Sequence, residues 1–219
     1  MTTGDFDNDG YDGYDGYDDI VVGQPIASEA TGSTDSATGH SGGQVTVKLG
    51  KPGGLYYRGD ATTFHQDTAG VPGAAEAGDS MGASIVVRDT DGDGTPDIVT
   101  GLPGEDLTKD GTARKDAGTA LVLRLAASAD GITVASAESL HQGTGGIGGA
   151  PESGDRFGSA VAAGDLSGTG ATDLAIGAPG ENSGDGTIVH RTPSGTATYI
   201  GRTTIDTAKG GELGSVLAP

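Results

Sequence analysis

Residues 65–106 read HQDTAGVPGAAEAGDSMGASIVVRDTDGDGTPDIVTGLPGED, and residues 141–182 read HQGTGGIGGAPESGDRFGSAVAAGDLSGTGATDLAIGAPGEN. The two segments align without a gap at a shift of 76 residues. His65 meets His141, Gly82 meets Gly158, Asp89 meets Asp165 and Asp97 meets Asp173, and each segment closes on Gly-x-Pro-Gly-Glu. Internal repetition of this length marks an array of small supersecondary units, each needing a neighbour to bury its apolar face.

Working outward, the second half of the unit recurs at the start of the chain. DFDNDG at residues 5–10 matches DTDGDG at 89–94, and DDIVVGQP at 18–25 matches PDIVTGLP at 96–103. GELGSV at 211–216 resembles GDRFGSAV at 154–161. The chain is therefore expected to begin inside one repeat and end just inside another. On that view residues 214–217 are a candidate for the missing first strand of the opening repeat.

Short Val- and Ile-rich runs bounded by Gly, Pro, Asp and Ser read as strands. Within the unit they fall at 83–87 and 159–163, at 97–100 and 173–176, at 119–125 and 187–191, and at 131–140 and 196–200. Four antiparallel strands per repeat describe a propeller blade. The expected fold is all-β, a partial β-propeller of about three four-stranded antiparallel blades, open or fragmentary. The expected division is a single partial propeller over 1–219. It has an incomplete first blade at 1–66, a second at 67–142, a third at 143–208 and the start of another at 209–219.

Composition agrees with short strands and many tight turns. Hydrophobic residues make up 33 % of the chain and aromatics 4 %, with 43 glycines and no Trp. No run approaches the roughly 20 apolar residues of a membrane helix, so no membrane insertion is expected. The net charge of −19 excludes the basic footprint of a nucleic-acid binder and suits a protein that binds cations. With no cysteine, disulfides say nothing about compartment. MTTGDFDNDG at the N-terminus has neither a basic n-region nor an apolar core, so the chain as given carries no secretion signal.

The Asp-rich loops carry the chemistry. Calcium takes six to eight hard oxygen ligands, and acids at alternate positions of a glycine-bearing loop present carboxylates to one centre. Asp89, Asp91 and Asp93 stand at positions one, three and five, the Thr95 carbonyl at seven and Asp97 at nine. The pattern is like the first half of an EF-hand, but position twelve is Thr100 and a strand follows instead of a helix. The third-repeat loop offers Asp165, Ser167, Thr169 and Asp173 with the Ala171 carbonyl; fewer charges mean weaker binding.

The opening loop is longer by two Tyr-Asp-Gly units. Asp5, Asp7 and Asp9 fit positions one, three and five and Tyr11 fits seven, with Asp19 closing and the extra residues looped out. A low-complexity tract that has lost its site is the competing reading.

Phe157-Gly158 and Gly177-Ala178-Pro179, with the variants Met81-Gly82, Leu213-Gly214, Gly101-Leu102-Pro103 and Gly23-Gln24-Pro25, resemble the FG-GAP repeats of the integrin alpha-subunit β-propeller and its bacterial relatives. The resemblance implies Ca2+ in the loop between the first two strands of many blades and an extracellular or cell-surface setting. It also implies binding or adhesion work on a protein or carbohydrate ligand. In one branch the propeller is attached to a glycosylphosphatidylinositol phospholipase, which makes the non-catalytic part of a secreted hydrolase the alternative. Rings of this family have about seven blades, within the roughly 4–8 of propellers. This chain then reads as an arc of a larger ring, a form that self-associates through open edges, or a fragment without independent function.

Other motifs carry less. Residues 78–82 fit G-x-S-x-G, yet a strand follows where a nucleophile elbow needs a helix, and Arg156 stands where Ser80 does. Residues 143–148 fit G-x-G-x-x-G without a following helix. Arg58-Gly59-Asp60 is an adhesion tripeptide that a Gly- and Asp-rich chain produces readily by chance. His40, His65, His141 and His190 show no metal-ligand spacing. No catalytic constellation is found.

Overall fold

A computed structural model describes residues 1–6, 17–26, 40–51, 61–128, 131–144 and 146–218. Three four-stranded antiparallel sheets follow one another along the chain. The first holds β1 (Thr2–Gly4), β2 (Asp19–Gln24), β3 (Gln44–Lys48) and β4 (Ala61–Phe64) in sequential order. The second holds β5 (Ser84–Arg88), β6 (Asp97–Leu102), β9 (Thr119–Ser128) and β10 (Gly131–Leu140). A small hairpin of β7 (Leu107–Lys109) and β8 (Thr112–Arg114) is inserted between β6 and β9. The third sheet holds β11 (Ala160–Gly164), β12 (Asp173–Ala178), β13 (Thr187–Arg191) and β14 (Ala197–Gly201). Two four-residue helical turns, Glu181–Gly184 and Arg202–Ile205, complete the described elements.

The architecture is all-β, a partial and open propeller of three blades. First strands lie side by side, with β5 packed between β1 and β11. No helix among the described residues is long and apolar enough to cross a membrane.

Alternation along the strands explains the stacking, because successive side chains point to opposite faces of a sheet. In the middle blade Ile98, Leu102, Leu121, Leu123 and Leu125 join a core with Val21, Val45, Val47, Phe64 and Met81 of the first blade and its junction. Val99, Ala120 and Val122 join a second core with Phe157, Leu174, Ile176 and Val189 of the third. A blade flanked on both faces needs apolar residues at both parities, and the run ALVLRL in β9 supplies them.

Between blades the motif glycines make the contact. A Cβ on Gly23 would lie 2.1 Å from the Gly82 carbonyl oxygen, one on Gly101 1.8 Å from that of Gly158, and one on Gly177 1.9 Å from that of Gly214. Beside each contact a parallel bridge joins the next blade: Gly43 to Met81, Gly118 to Phe157 and Gly186 to Leu213. The Phe/Met/Leu-Gly pair of one blade thus seats against the Gly-x-Pro of the preceding blade, three times over. Ser80, Arg156 and Glu212, just before these pairs, all hold left-handed φ (65°, 55° and 48°). The G-x-S-x-G at 78–82 is therefore a recurring turn, in which the Ser80 hydroxyl donates to the Gly78 carbonyl.

One expectation is corrected. The first strand of the opening sheet is Thr2–Gly4, paired with β2 from Thr2↔Val21 to Gly4↔Asp19. Residues 214–217 form no strand; Leu213 instead bridges to Gly186 in the third blade. The sequence hides β1 because three residues, TTG, show no apolar alternation.

Candidate metal centre

Each Asp loop closes the hairpin between the first and second strand of a blade. The last paired residues are Arg88↔Asp97, Gly164↔Asp173 and Gly4↔Asp19. The acid at position one follows the first strand directly, and the closing acid opens the second. All three closing acids are buried: Asp19 and Asp173 at 0 % exposure and Asp97 at 2 %.

In the second blade Gly92 and Gly94 adopt left-handed φ of 82° and 89°, which turns the loop back on Asp89. Asp89 accepts from Gly92 N–H through Oδ1 at 2.6 Å and from Gly94 N–H through Oδ2 at 2.9 Å. Burial opposes ionisation of Asp89, but these backbone donors outweigh it and lower its pKa. Asp97 accepts from Thr90 N–H at 2.9 Å and from the Thr90 hydroxyl. Its pKa is raised, chiefly by burial and further by the Asp91 charge, against the pull of Thr90 and Arg124.

Asp91 is held differently. Its Oδ2 pairs with Arg124 Nε at 3.2 Å, and its Oδ1 accepts a long bond, 3.3 Å, from Asp93 N–H. One carboxylate oxygen from each of Asp89, Asp91 and Asp97 lies within 4.8 Å of the others. Asp93 stands apart from that group and accepts from Thr95 N–H at 2.7 Å. Three converging acids are a hard oxygen donor set that suits calcium. Carbonyls and water would complete the six to eight ligands the ion takes.

The third-blade loop repeats the turn with fewer charges. Asp165 accepts from Thr169 and Gly170 N–H, both at 2.9 Å. Ser167 and Thr169 hydroxyls bond each other at 3.1 Å. Asp173 accepts from Ser167 N–H at 2.6 Å, with His190 Nε2 at 3.5 Å. Burial opposes ionisation there too, but the Ser167 donors and then His190 lower the pKa of Asp173.

In the opening loop Asp19 accepts from Phe6 N–H and Gly50 N–H, both at 2.8 Å, and Asp5 keeps a buried Oδ1 without a hydrogen-bond partner among the described residues. Asp7, Asp9 and Tyr11 lie outside the described residues, as does Arg58-Gly59-Asp60.

Three features were missed in the sequence. Arg124, on β9, reaches the loop from the neighbouring hairpin and also approaches Glu138, which in turn pairs with Arg191 of the third blade at 2.7 Å. No local spacing announces a ligand-pairing cation that far along the chain. A cleft of about 750 Å³ opens beside the loop, with Thr3, Arg88, Asp91, Pro96, Arg124 and Pro193 in its wall, so all three blades contribute. His40, His65 and Asp67 also converge, although 25 residues separate the two histidines.

Residues 81–123 and 157–190 each match the FG-GAP repeat family model. No curated protein matches the chain. The matched segments start at Met81 and Phe157, the residues that bridge to the preceding blade, and run through the Asp loops into the third strands. The chain therefore carries FG-GAP repeats, one in its second blade and one in its third.

Proposed function

We propose that this chain is a calcium-binding FG-GAP propeller segment, similar to the integrin alpha-subunit propeller, that serves as an extracellular binding or adhesion module. The observation that carries the reading is the convergence of Asp89, Asp91 and Asp97 in a loop built on left-handed glycines. Bound there, calcium would neutralise acids that repel one another and tie the turn to the buried start of β6. The loop would then form a fixed wall of the adjoining three-blade cleft, where a protein or carbohydrate ligand has room to bind. FG-GAP repeats are typical of extracellular and surface proteins, which favours a setting outside the cell.

The test is calcium titration by calorimetry, with thermal melts in calcium and in chelator. Calcium should bind saturably, chelator should lower the melting temperature, and Asp91→Ser should remove one equivalent while preserving the fold. Ser167 occupies the same place in the third loop, so the turn accommodates serine. An unchanged melt in chelator, or unchanged stoichiometry in Asp91→Ser, overturns the reading.

A further inference from the structure

His40, His65 and Asp67 meet at the end of the first blade remote from its Asp loop. Gln24↔Gln44 and Val45↔Phe64 pair at that end, whereas Gly4↔Asp19 pairs at the other. The imidazoles of His40 and His65 stack with centroids 3.7 Å apart and planes 6° apart. His40 Nε2 lies 3.3 Å from Asp67 Oδ2. One ligand atom from each of the three residues falls within 4.8 Å of the others.

The hydrogen bonds fix the tautomer of His40. Its Nδ1 lies 2.8 Å from the Ser41 carbonyl, which can only accept, so Nδ1 carries a proton. Neutral His40 then points a bare Nε2 lone pair at the Asp67 carboxylate. Two lone pairs at that distance repel, and a positive species belongs between them: a second proton or a metal ion. The outward-facing Nε2, with Nδ1–H anchored on a backbone carbonyl, is the arrangement that orients a metal-ligating histidine.

The repeat supplies an independent comparison. His65 and His141 are equivalent, and each backbone N–H donates to a threonine hydroxyl at 3.0 Å, Thr68 and Thr144. His141 settles its Nδ1 on the Gln142 carbonyl at 2.8 Å. His65 Nδ1 is buried and has no hydrogen-bond partner among the described residues. The second blade has Lys115 three residues before its bridging glycine Gly118, where the first blade has His40 before Gly43. The paired histidines are thus a departure from the repeat.

We propose that His40, His65 and Asp67 bind one divalent transition-metal ion of the zinc class. Two imidazoles and one carboxylate suit zinc, cobalt or nickel, and calcium takes oxygen donors instead. Water fills the remaining position. Bonds of about 2.0–2.1 Å require the donors to close to about 3.3 Å in a tetrahedron, so the rings must swing out of their stack as the metal enters. The ion would tie the turn before β3 to the turn leaving β4, stapling the first blade to its link with the second. The site is independent of calcium in the Asp loops.

The test is calorimetric titration of zinc chloride into the full chain with calcium saturating, so that the Asp loops are already filled. One zinc equivalent should bind, and cobalt should give the visible absorption of a four-coordinate site. His40→Ala should weaken zinc by more than about 10-fold, since losing even an outer-shell partner costs roughly that much. Asp67→Asn should weaken it less, and His141→Ala should leave it unchanged. In the unmutated chain, the ring signals of His40 and His65 in the NMR spectrum should move on adding zinc while those of His141 stay. Failure to bind zinc saturably, unmoved His40 and His65 signals, or equal loss in His141→Ala overturns the proposal.

Discussion

Gly101→Ala tests whether the blades lock through their motif glycines. The new Cβ would lie 1.8 Å from the Gly158 carbonyl oxygen, 2.8 Å from its carbonyl carbon and 2.4 Å from Ser84 Oγ. The serine can rotate away. The carbonyl cannot, because Gly158 N–H donates to the Gly177 carbonyl at 2.9 Å and Phe157 is bridged to Gly118. Gly101 does not have a left-handed φ, so the cost is contact alone and not backbone strain.

Overpacking a core costs about 1–3 kcal/mol. A backbone-on-backbone clash belongs at the top of that range, about 3 kcal/mol. For a chain of this length that lowers the melting temperature by about 6–12 °C. Gly164→Ala is the control: a Cβ there meets nothing within 4 Å, and the change should fall within about 1 kcal/mol of neutral. Scanning calorimetry of both variants in the same calcium concentration reads the difference. If Gly101→Ala melts where Gly164→Ala does, the glycines are not what holds the second and third blades in register.

Two further outcomes follow from the charged groups. Burial raises Glu105 to about 7 and Asp79 and Asp155 to about 6, so the folded chain holds protons that the unfolded chain has released. The stability from these acids is complete below the ordinary carboxylate range and is lost as pH rises to about 7. Melting temperature in calcium-free buffer should therefore fall between about pH 5 and pH 8, and Glu105→Gln should flatten the upper part of that fall. A rise across the window, or an unaltered slope in the variant, contradicts the assignment. Arg124→Gln frees Asp91 from a part-exposed ion pair worth about 0.2–1 kcal/mol, so calcium should bind roughly 1.5- to 5-fold more tightly by calorimetry. Weaker binding would show that Arg124 orients Asp91 for the ion instead of competing with it.

Most strands were legible because the repeat fixes its own register. Two copies at a shift of 76 residues reduce the reading of each segment to one question asked twice. The β7–β8 hairpin was missed because it interrupts only one copy. Its signal was present nonetheless: Asp110-Gly111 takes left-handed φ at both residues, 51° and 73°, as a two-residue hairpin turn requires. The motif glycines were plain in the sequence, but their purpose was not. A glycine excluded from carrying a Cβ by a carbonyl in the next blade looks, in one dimension, like any turn glycine.

The candidate site was legible as a cluster of acids but not as a division of labour among them. At position one, Asp89 and Asp165 each collect two backbone N–H groups. The closing acids Asp97 and Asp173 are buried and accept from the loop backbone in turn. Both pairs have work to do in shaping the hairpin whether or not an ion is present, so their recurrence does not by itself argue for metal. The loops part at positions three and five, Asp91 and Asp93 in one and Ser167 and Thr169 in the other, and of those two acids Asp91 is the one in the converging group. Asp91 contributes only a long bond to the turn and leans on Arg124 from another strand for neutralisation. Its carboxylate adds charge to a crowded loop while giving the fold little in return. Asp91, more than any other residue of the loop, is therefore placed for a cation and not for the turn.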